Sequence, residues 1–260
     1  MIITYLIIFF TGAVVSFIST LFGLGGGIIM VPILSLFLPY SHIEAVATSL
    51  AAIIFVAGFN TYNFYKKDVI VWEIVPWIAI TASLFAFISA WAAPYLSEKI
   101  LIIIFILFLF WVAIRTFLIS NKEGNINNSY SKWLPLGIGS LSGSISGFTG
   151  IGGGGITTPL ILVTKLVKNI QAAPTSNAIM IFTTLFASFS FALPENIVND
   201  TFVFGYVHLD TSVLLFVGSA LFSRIGVKIN FKIPIFWRKT VLGSLLLFIC
   251  IRFLFMLISE

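Results

Sequence analysis

Charge is scarce in this chain: 9% of the residues are Asp, Glu, Lys or Arg, against about 25% in an ordinary soluble domain. Cysteine is scarcer still. The single Cys250 excludes an internal disulfide and a cysteine metal cluster. Histidine occurs twice, at His42 and His208, both at the ends of apolar runs. No pair of acidic residues lies inside an apolar run, so the acids, nucleophiles and metal ligands of an intramembrane enzyme are missing. The expectation is a protein that is not an enzyme, with no cofactor and no metal. No glycine-lysine phosphate loop occurs either, so the energy for any transport has to come from a gradient or from another component.

What fills the space is apolar: 59% of the residues are hydrophobic and the mean hydropathy is +1.12. Charged residues are absent from 1–43, 45–65, 74–97, 133–164 and 169–194. Each run reaches or exceeds the roughly 20 residues that a membrane-spanning helix needs. Segments near 100–119, 207–227 and 240–258 are shorter or carry a charge, but also read as spans. The first run lacks the basic start and cleavage-type end of a signal peptide. A net charge of +5 would suggest nucleic acid in a soluble protein. Here it is better explained by membrane orientation, and no nucleic-acid partner is expected.

Against this uniform background the glycines are clustered. PheGlyLeuGlyGlyGlyIleIleMetValProIle at 22–33 recurs as ThrGlyIleGlyGlyGlyGlyIleThrThrProLeu at 149–160, offset by 127 positions. At the same offset Gly12, Ile18 and Ser19 match Gly139, Ile145 and Ser146. Thr48, Ser49 and Ala51 match Thr175, Ser176 and Ala178, and Ile54, Phe55 and Phe59 match Ile181, Phe182 and Phe186. Further on the register shifts, with IleArg at 114–115 matching IleArg at 251–252. Glycine clusters destabilise helices. Matching breaks in two halves of a membrane protein point to broken helices around a central binding site.

The charges set an orientation. Twelve of the fourteen basic residues fall in four regions: Lys66 and Lys67; Arg115, Lys122 and Lys132; Lys165 and Lys168; and Arg224 to Lys239. Placing all four in the cytoplasm obeys the positive-inside rule and leaves Glu195, Asp200 and Asp210 outside. The uncharged run 133–164 would then span about 48 Å as one helix at 1.5 Å per residue, too long for a core of roughly 30 Å. It is expected to enter, turn at the glycines and return. The expected architecture is an all-α polytopic membrane protein with glycine-broken, re-entrant segments at 2–38 and 133–164. A first transmembrane repeat at 1–119 joins a second at 133–260 through a cytoplasmic loop at 120–132, the two repeats inverted.

A helix restarting after each glycine turn, near Ile28 and Ile156, points its unpaired N–H groups and positive dipole end at the turn. Two such ends make a site for an anion. Pro32 and Pro159 follow the two clusters and are expected to bend the half-helices. Hydroxyls gather nearby, Ser19, Ser146 and Thr158 among them. They can serve an oxyanion, or bond backbone carbonyls one turn back and hold helices together. The candidate substrate-binding residues are Thr20, Gly25, Gly26, Gly27, Thr48 and Ser49 in the first half. In the second they are Thr149, Gly152, Gly153, Gly154, Gly155, Thr157, Thr175, Ser176 and Asn177.

The repeated GlyxGlyGlyGly…Pro pattern, each copy followed about 16 residues later by ThrSer, resembles the TauE/SafE family of membrane permeases, also called the sulfite exporter or toluene-sulfonate uptake family. The resemblance runs over essentially the whole chain. It implies secondary transport of sulfite, sulfonates or other small organic anions across a bacterial inner membrane, by alternating access around the paired turns. The implied partners are a small anionic solute, the lipid bilayer and a coupling proton or ion. One departure is LeuGlyGlyGlyIle at 24–28 against IleGlyGlyGlyGly at 151–155, so the two turns need not contribute equally. An anion channel built from backbone amides is the alternative reading. Arg115 and Arg252 read as snorkelling cations or as a gate; His208 and Asp210 read as a proton relay or as solvated interfacial groups.

The orientation is open to a direct check. In a Cys250→Ala background, a cysteine replacing Asn125 is expected to react with an impermeant thiol reagent only after cells are opened. One replacing Val198 is expected to react from outside. The reverse pattern overturns the topology.

Overall fold

The computed structural model describes residues 2–22, 26–118, 131, 133–194, 202–230 and 235–259. Gly25 and most of the loop 120–132 lie outside the described residues. Ten α-helices make up nearly all of it. In the first half they are α1 (Ile2–Phe22), α2 (Gly27–Phe37), α3 (His42–Tyr65), α4 (Val75–Ala92) and α5 (Glu98–Leu118). In the second they are α6 (Trp133–Thr149), α7 (Gly154–Val163), α8 (Asn169–Ala192), α9 (Leu209–Asn230) and α10 (Ile235–Ser259). The chain breaks at both glycine clusters, between α1 and α2 and between α6 and α7, and the order of elements repeats. Among the described residues, four helices, α3, α4, α5 and α8, are long and apolar enough to cross a membrane.

Local chemistry explains the boundaries. Ser41 caps α3 in a capping box with Glu44: the Ser41 amide donates to Glu44 Oε2 at 2.8 Å and the Glu44 amide to Ser41 Oγ at 3.4 Å. Gln171 takes the matching role in α8, accepting from the Lys168 amide at 3.1 Å. Glu98 in the first turn of α5 and Arg115 in its last complement the helix dipole. Pro32 and Pro159 sit inside α2 and α7. One element departs from an all-helical reading: a two-strand hairpin, β1 (Val203–Phe204) and β2 (Val207–His208). Its turn holds Gly205 at φ 56° and docks on the end of α8, where the Tyr206 amide donates to the Phe191 carbonyl at 3.1 Å.

The halves are interlocked. α1 packs most extensively on α9, and its counterpart α6 packs most extensively on α4, so the first helix of each half finds its main partner in the other half. These contacts are backbone on backbone. A methyl group on Gly139 would collide with the Ile78 carbonyl, one on Gly143 with Ala82, and one on Gly147 with Ser89 and Ala86. The crossing of α1 on α9 behaves alike: Gly12, the mate of Gly139, lies against Leu215, and Gly218 against Phe9. Such small-residue stripes let helices associate where lipid removes the hydrophobic drive.

Contacts also fix the sense of each helix. Along α6 and α4, Gly139, Gly143 and Gly147 meet Ile78, Ala82 and Ala86 in rising order, so the two run the same way. α4 and α8 do too, from Val71 opposite Thr175 to Phe87 opposite Ser190. α3 and α8 run oppositely, with Asn60 bonded to Asn177 while Ile53 and Thr184 converge on Gly152. α7 starts against α8 in falling order, Gly152 by Thr184 and Gly154 by Met180. α6 and α7 therefore run in opposite senses about their break.

The outside of the molecule is apolar. Ile80, Leu84, Leu107, Phe110, Phe189 and Phe255 are among many large exposed hydrophobic side chains. Exposed Tyr62, Tyr65, Trp72 and Trp77 gather at one end of α3 and α4, and Trp91 and Tyr95 at the other. Aromatic side chains at both ends of a span suit the two membrane–water interfaces. This is a multi-pass membrane protein.

The interlock makes a stability prediction. Gly143→Ala is expected to lower the melting temperature of the purified protein, at about 1–3 kcal/mol for overpacking. Gly137→Ala, on the same helix with open space around it, should leave it unchanged or raise it, because alanine favours a helix by up to about 1 kcal/mol over glycine. Equal losses in both variants would show that the close crossing is not what holds α6.

Candidate functional site

The two glycine turns meet. A methyl group on Gly27 would strike the Gly150 carbonyl, and Ile28 Cδ1 lies 3.5 Å from where a Cβ on Gly155 would stand. Everything at the junction is buried: Gly26 to Leu34 apart from Ile33, and Gly150 to Pro159. Gly26 and Gly153 hold equivalent places as N-caps of α2 and α7, in left-handed backbone at φ 85° and 81°. Gly150 and Gly152 are left-handed as well, at φ 71° and 79°. Side chains with a Cβ seldom adopt that region, which is why glycine recurs here. Each cap carbonyl accepts two amides of the restarting helix: Ile29 and Met30 on Gly26, and Ile156 and Thr157 on Gly153, at 2.8–3.1 Å. The amides ahead of these have no acceptor within their own helix. They form the positive ends of two short helices of 11 and 10 residues.

The unequal glycine count has a steric origin. Positions 28 and 155 are repeat mates and face each other. Ile28 fills the space there, and Phe108 and Ile151 crowd position 155 from other sides at 3.1 and 3.4 Å. One large residue fits at that meeting point, so its mate is glycine.

The hydroxyls divide by task. Thr48 and Thr175, both fully buried, accept backbone amides from the opposite half: His208 N–H to Thr48 Oγ1 at 3.2 Å, and Val71 N–H to Thr175 Oγ1 at 3.1 Å. The two bonds are repeat mates, and each tethers the segment entering α9 or α4. Ser49 donates to the Gly150 carbonyl at 2.9 Å and to Val46 at 2.8 Å, bracing the second turn from the first half. Thr149 bonds back to Ile145. Asn177 accepts from Asn60 at 3.3 Å and donates to Ala173 at 2.8 Å. Thr157 is buried on the first turn of α7, and Thr20 lies in the last turn of α1.

Two hydroxyls stand apart. Ser146 and Ser176 are fully buried, yet neither Oγ has a hydrogen-bond partner. Ser146 lies beside Gly153, its Cβ 3.8 Å from where a Cβ on Gly153 would sit, with Thr183 Cγ2 at 3.5 Å and the Ser142 carbonyl at 3.7 Å. Nothing there is in hard contact, in contrast to the tight packing at Gly27 and Gly154. Ser176 lies one turn before Met180, whose sulfur packs on Gly154. Ser142, Thr183 and Met180 were not among the residues singled out by sequence. The alternation of Ser140, Ser142, Ser144 and Ser146 on α6 is the signal that would have found the first of them. Asn60 also lies in a narrow crevice with Ser16, Val56, Phe216 and Ser219.

The structure thus brings Gly26, Gly27, Ser49 and Gly152 to Gly155 to one buried centre, with Thr157 on the first turn of α7. Thr48 and Thr175 stand at two half-to-half tethers, one on either side of it.

Comparison with known proteins gives a consistent picture. The family described as Sulfite exporter TauE/SafE matches residues 8–253. A "probable membrane transporter protein" of Haemophilus influenzae is 34% identical over 192 residues, covering 68% of each chain. A second from the same organism is 27% identical, covering 93% of this chain and 94% of its own. One from Methanocaldococcus jannaschii is 27% identical, covering 90% of each. No solved structure matches.

The steric account at 28 and 155 predicts coupling. Gly155→Ile and Ile28→Gly are each expected to destabilise the protein, the first by overpacking and the second by a cavity. The double variant should recover part of the loss, with a coupling energy in the range of about 0.5–3 kcal/mol found for touching residues. Simple additivity in thermal unfolding would disprove the contact.

Proposed function

Because this chain belongs to the sulfite exporter TauE/SafE family, a family of membrane transporters, we propose that it is a secondary carrier of small oxyanions, sulfite or organic sulfonates. The solute binds at the paired glycine turns and is exposed to the two sides alternately. The observation that carries the reading is the wholly buried, unpartnered Ser146 hydroxyl beside the Gly153 cap. A buried hydroxyl without a partner costs roughly 1–3 kcal/mol, and an oxyanion on the α7 amides would supply the acceptor. Helix N-termini suit a negative solute without a fixed cation, and glycine lets it reach the amides. Ser176, and the free donor sides of Thr48 and Thr175, are further ligands within this reading.

Alternating access is supported by the repeated order of elements and by the helix senses. α3 and α8 are repeat mates running oppositely, which suits halves inverted about an axis in the membrane plane. α2 and α7 then dip in from opposite sides, and Lys66, Lys67, Lys165 and Lys168 share the cytoplasmic end. Rocking one half against the other would open the centre to each side in turn.

Labelled sulfite, thiosulfate, sulfonates and carboxylates in proteoliposomes test the proposal. Saturable counterflow of at least one oxyanion is expected. Ser146→Ala should weaken its apparent affinity by roughly a few-fold to a hundred-fold, the span of about 0.5–3 kcal/mol for one bond to a charged acceptor. The same change should leave the solute-free melting temperature unchanged or raise it, since an unmet polar group is removed. Gly26→Val and Gly153→Val should abolish transport. Wild-type kinetics in the valine variants, preference for a cation, or unsaturable conduction overturns the reading.

A further inference from the structure

The two tethers to the ThrSer pairs are symmetric in backbone and unlike in charge. At one end His208 supplies the amide to Thr48, and its Nε2 lies 3.6 Å from Glu44 Oε1. At the other end the repeat mates are Val71, which supplies the amide to Thr175, and Gln171 in place of Glu44. The same geometry is thus ionisable at one end and neutral at the other.

The local structure presents the pair rather than leaving it to chance. Glu44 Oε2 takes both the amide and the hydroxyl of Ser41, each at 2.8 Å, which leaves Oε1 to face His208. The His208 backbone is held on both sides: its amide by Thr48, and its carbonyl by Ser212 Oγ at 2.8 Å, which also donates to the Thr48 carbonyl at 3.0 Å. The edge of the imidazole meets the Tyr40 ring, 4.8 Å between centroids at 85°. The Tyr40 hydroxyl pairs with Thr211 at 2.7 Å, and burial pushes that phenol up, so it stays neutral. Asp210 Oδ1 is buried nearby without a partner. Glu44, Asp210 and Tyr5 are the titratable groups acting on Tyr40, and α8, which also packs on the hairpin, carries no ionisable side chain. Glu98 is engaged with the His42 amide at 2.7 Å. His208 Nε2 is itself buried and has no hydrogen-bond partner, while the His208 and Glu44 side chains as a whole are 17% and 22% exposed.

We propose that Glu44 and His208 form a proton-binding clasp that closes one end of the molecule, and only that end. A proton on the imidazole makes a charged pair across the halves, drawing the start of α9 onto the start of α3. Its loss leaves a neutral ring beside a carboxylate, and the start of α9 is then held by uncharged hydrogen bonds only, those of the His208 amide, Ser212 and Thr211. Only the protonated imidazole makes that charged pair, so the clasp holds on the acidic side and loosens as pH rises. Resting on the carrier reading, this makes the proton the coupling ion and the clasp its site.

Two readouts separate the clasp from the carrier reading. The first needs no solute: Val207→Cys in a Cys250→Ala background, labelled with an impermeant thiol reagent from about pH 5.5 to 8. Each rate is divided by that of the same protein carrying His208→Gln, which cancels the ionisation of the thiol itself. The ratio should rise several-fold toward high pH and stay flat when Glu44→Gln is also present. A pH-independent ratio overturns the clasp. The second is sulfite or sulfonate flux: His208→Gln and Glu44→Gln should keep counterflow at equal pH but lose the several-fold stimulation by a proton gradient, while His42→Gln keeps it. Gradient stimulation surviving in His208→Gln overturns the coupling role. If no anion moves even in the parent, the carrier reading falls and the labelling ratio still decides the clasp.

Discussion

Helices that leave lipid for one another gain nothing from the hydrophobic effect, so close backbone approach has to hold them together. In this molecule that approach is concentrated on two glycine crossings, α6 on α4 and α1 on α9, and both join one half to the other. The Ser219 hydroxyl reinforces the second by donating to the Gly12 carbonyl at 2.9 Å, and the Ser89 hydroxyl the first by donating to Gly143 at 3.4 Å. The helix that leads into each glycine turn is therefore carried by the opposite half. Any relative motion of the halves displaces a turn with respect to α3 or α8, the helices that flank both. The buried glycine junction and the interface are one mechanical unit.

A broken helix in a bilayer leaves backbone groups with no water to meet them. Most of the hydroxyls near the turns serve that need. Ser49 braces the Gly150 carbonyl, Thr48 and Thr175 receive the amides of the opposing entry segments, and Thr149, Thr183 and Thr184 bond back within their own helices. Against that background an unmet hydroxyl stands out. Ser146 is buried as deeply as its neighbours and lies beside the Gly153 cap, where an added Cβ would meet only ordinary contacts.

Much of this was legible in the sequence because glycine clusters and uncharged runs act at short range. α1 ends at Phe22 and α2 starts at Gly27, α6 ends at Thr149 and α7 starts at Gly154, in line with the stretches their composition marked, and the Ser41–Glu44 start of α3 follows from a capping pattern of four residues. The hairpin at 203–208 was missed. Its signal is only Gly205 between two ValX pairs, and its docking on Phe191 depends on where α8 ends. The tasks of the ThrSer pairs were not legible either. Spacing placed them near the turns, but which oxygen meets which amide is set by α4 and α9 returning from the other half, about 160 residues away for His208 and Thr48. Nor does composition separate Ser146 from Ser142 or Ser144, since only the packing decides which hydroxyl is left without an acceptor.

Where repeat mates differ, the cause differs with the place. Positions 28 and 155 lie close together at the glycine junction, and a side chain at 155 would crowd Phe108 and Ile151 as well as touch Ile28, so a steric cause is at hand. Glu44 and Gln171, like His208 and Val71, lie at opposite ends and never meet, so no packing conflict requires them to be unlike. Gln171 makes the same cap bond as Glu44 without the charge, which shows that the fold asks only for an acceptor there. A carboxylate beside an imidazole supplies more than the fold requires. It costs desolvation at a partly buried site and yields an interaction whose strength depends on a proton. With the backbone tethers otherwise alike, that charge is the property by which one end can respond to its surroundings while the other does not.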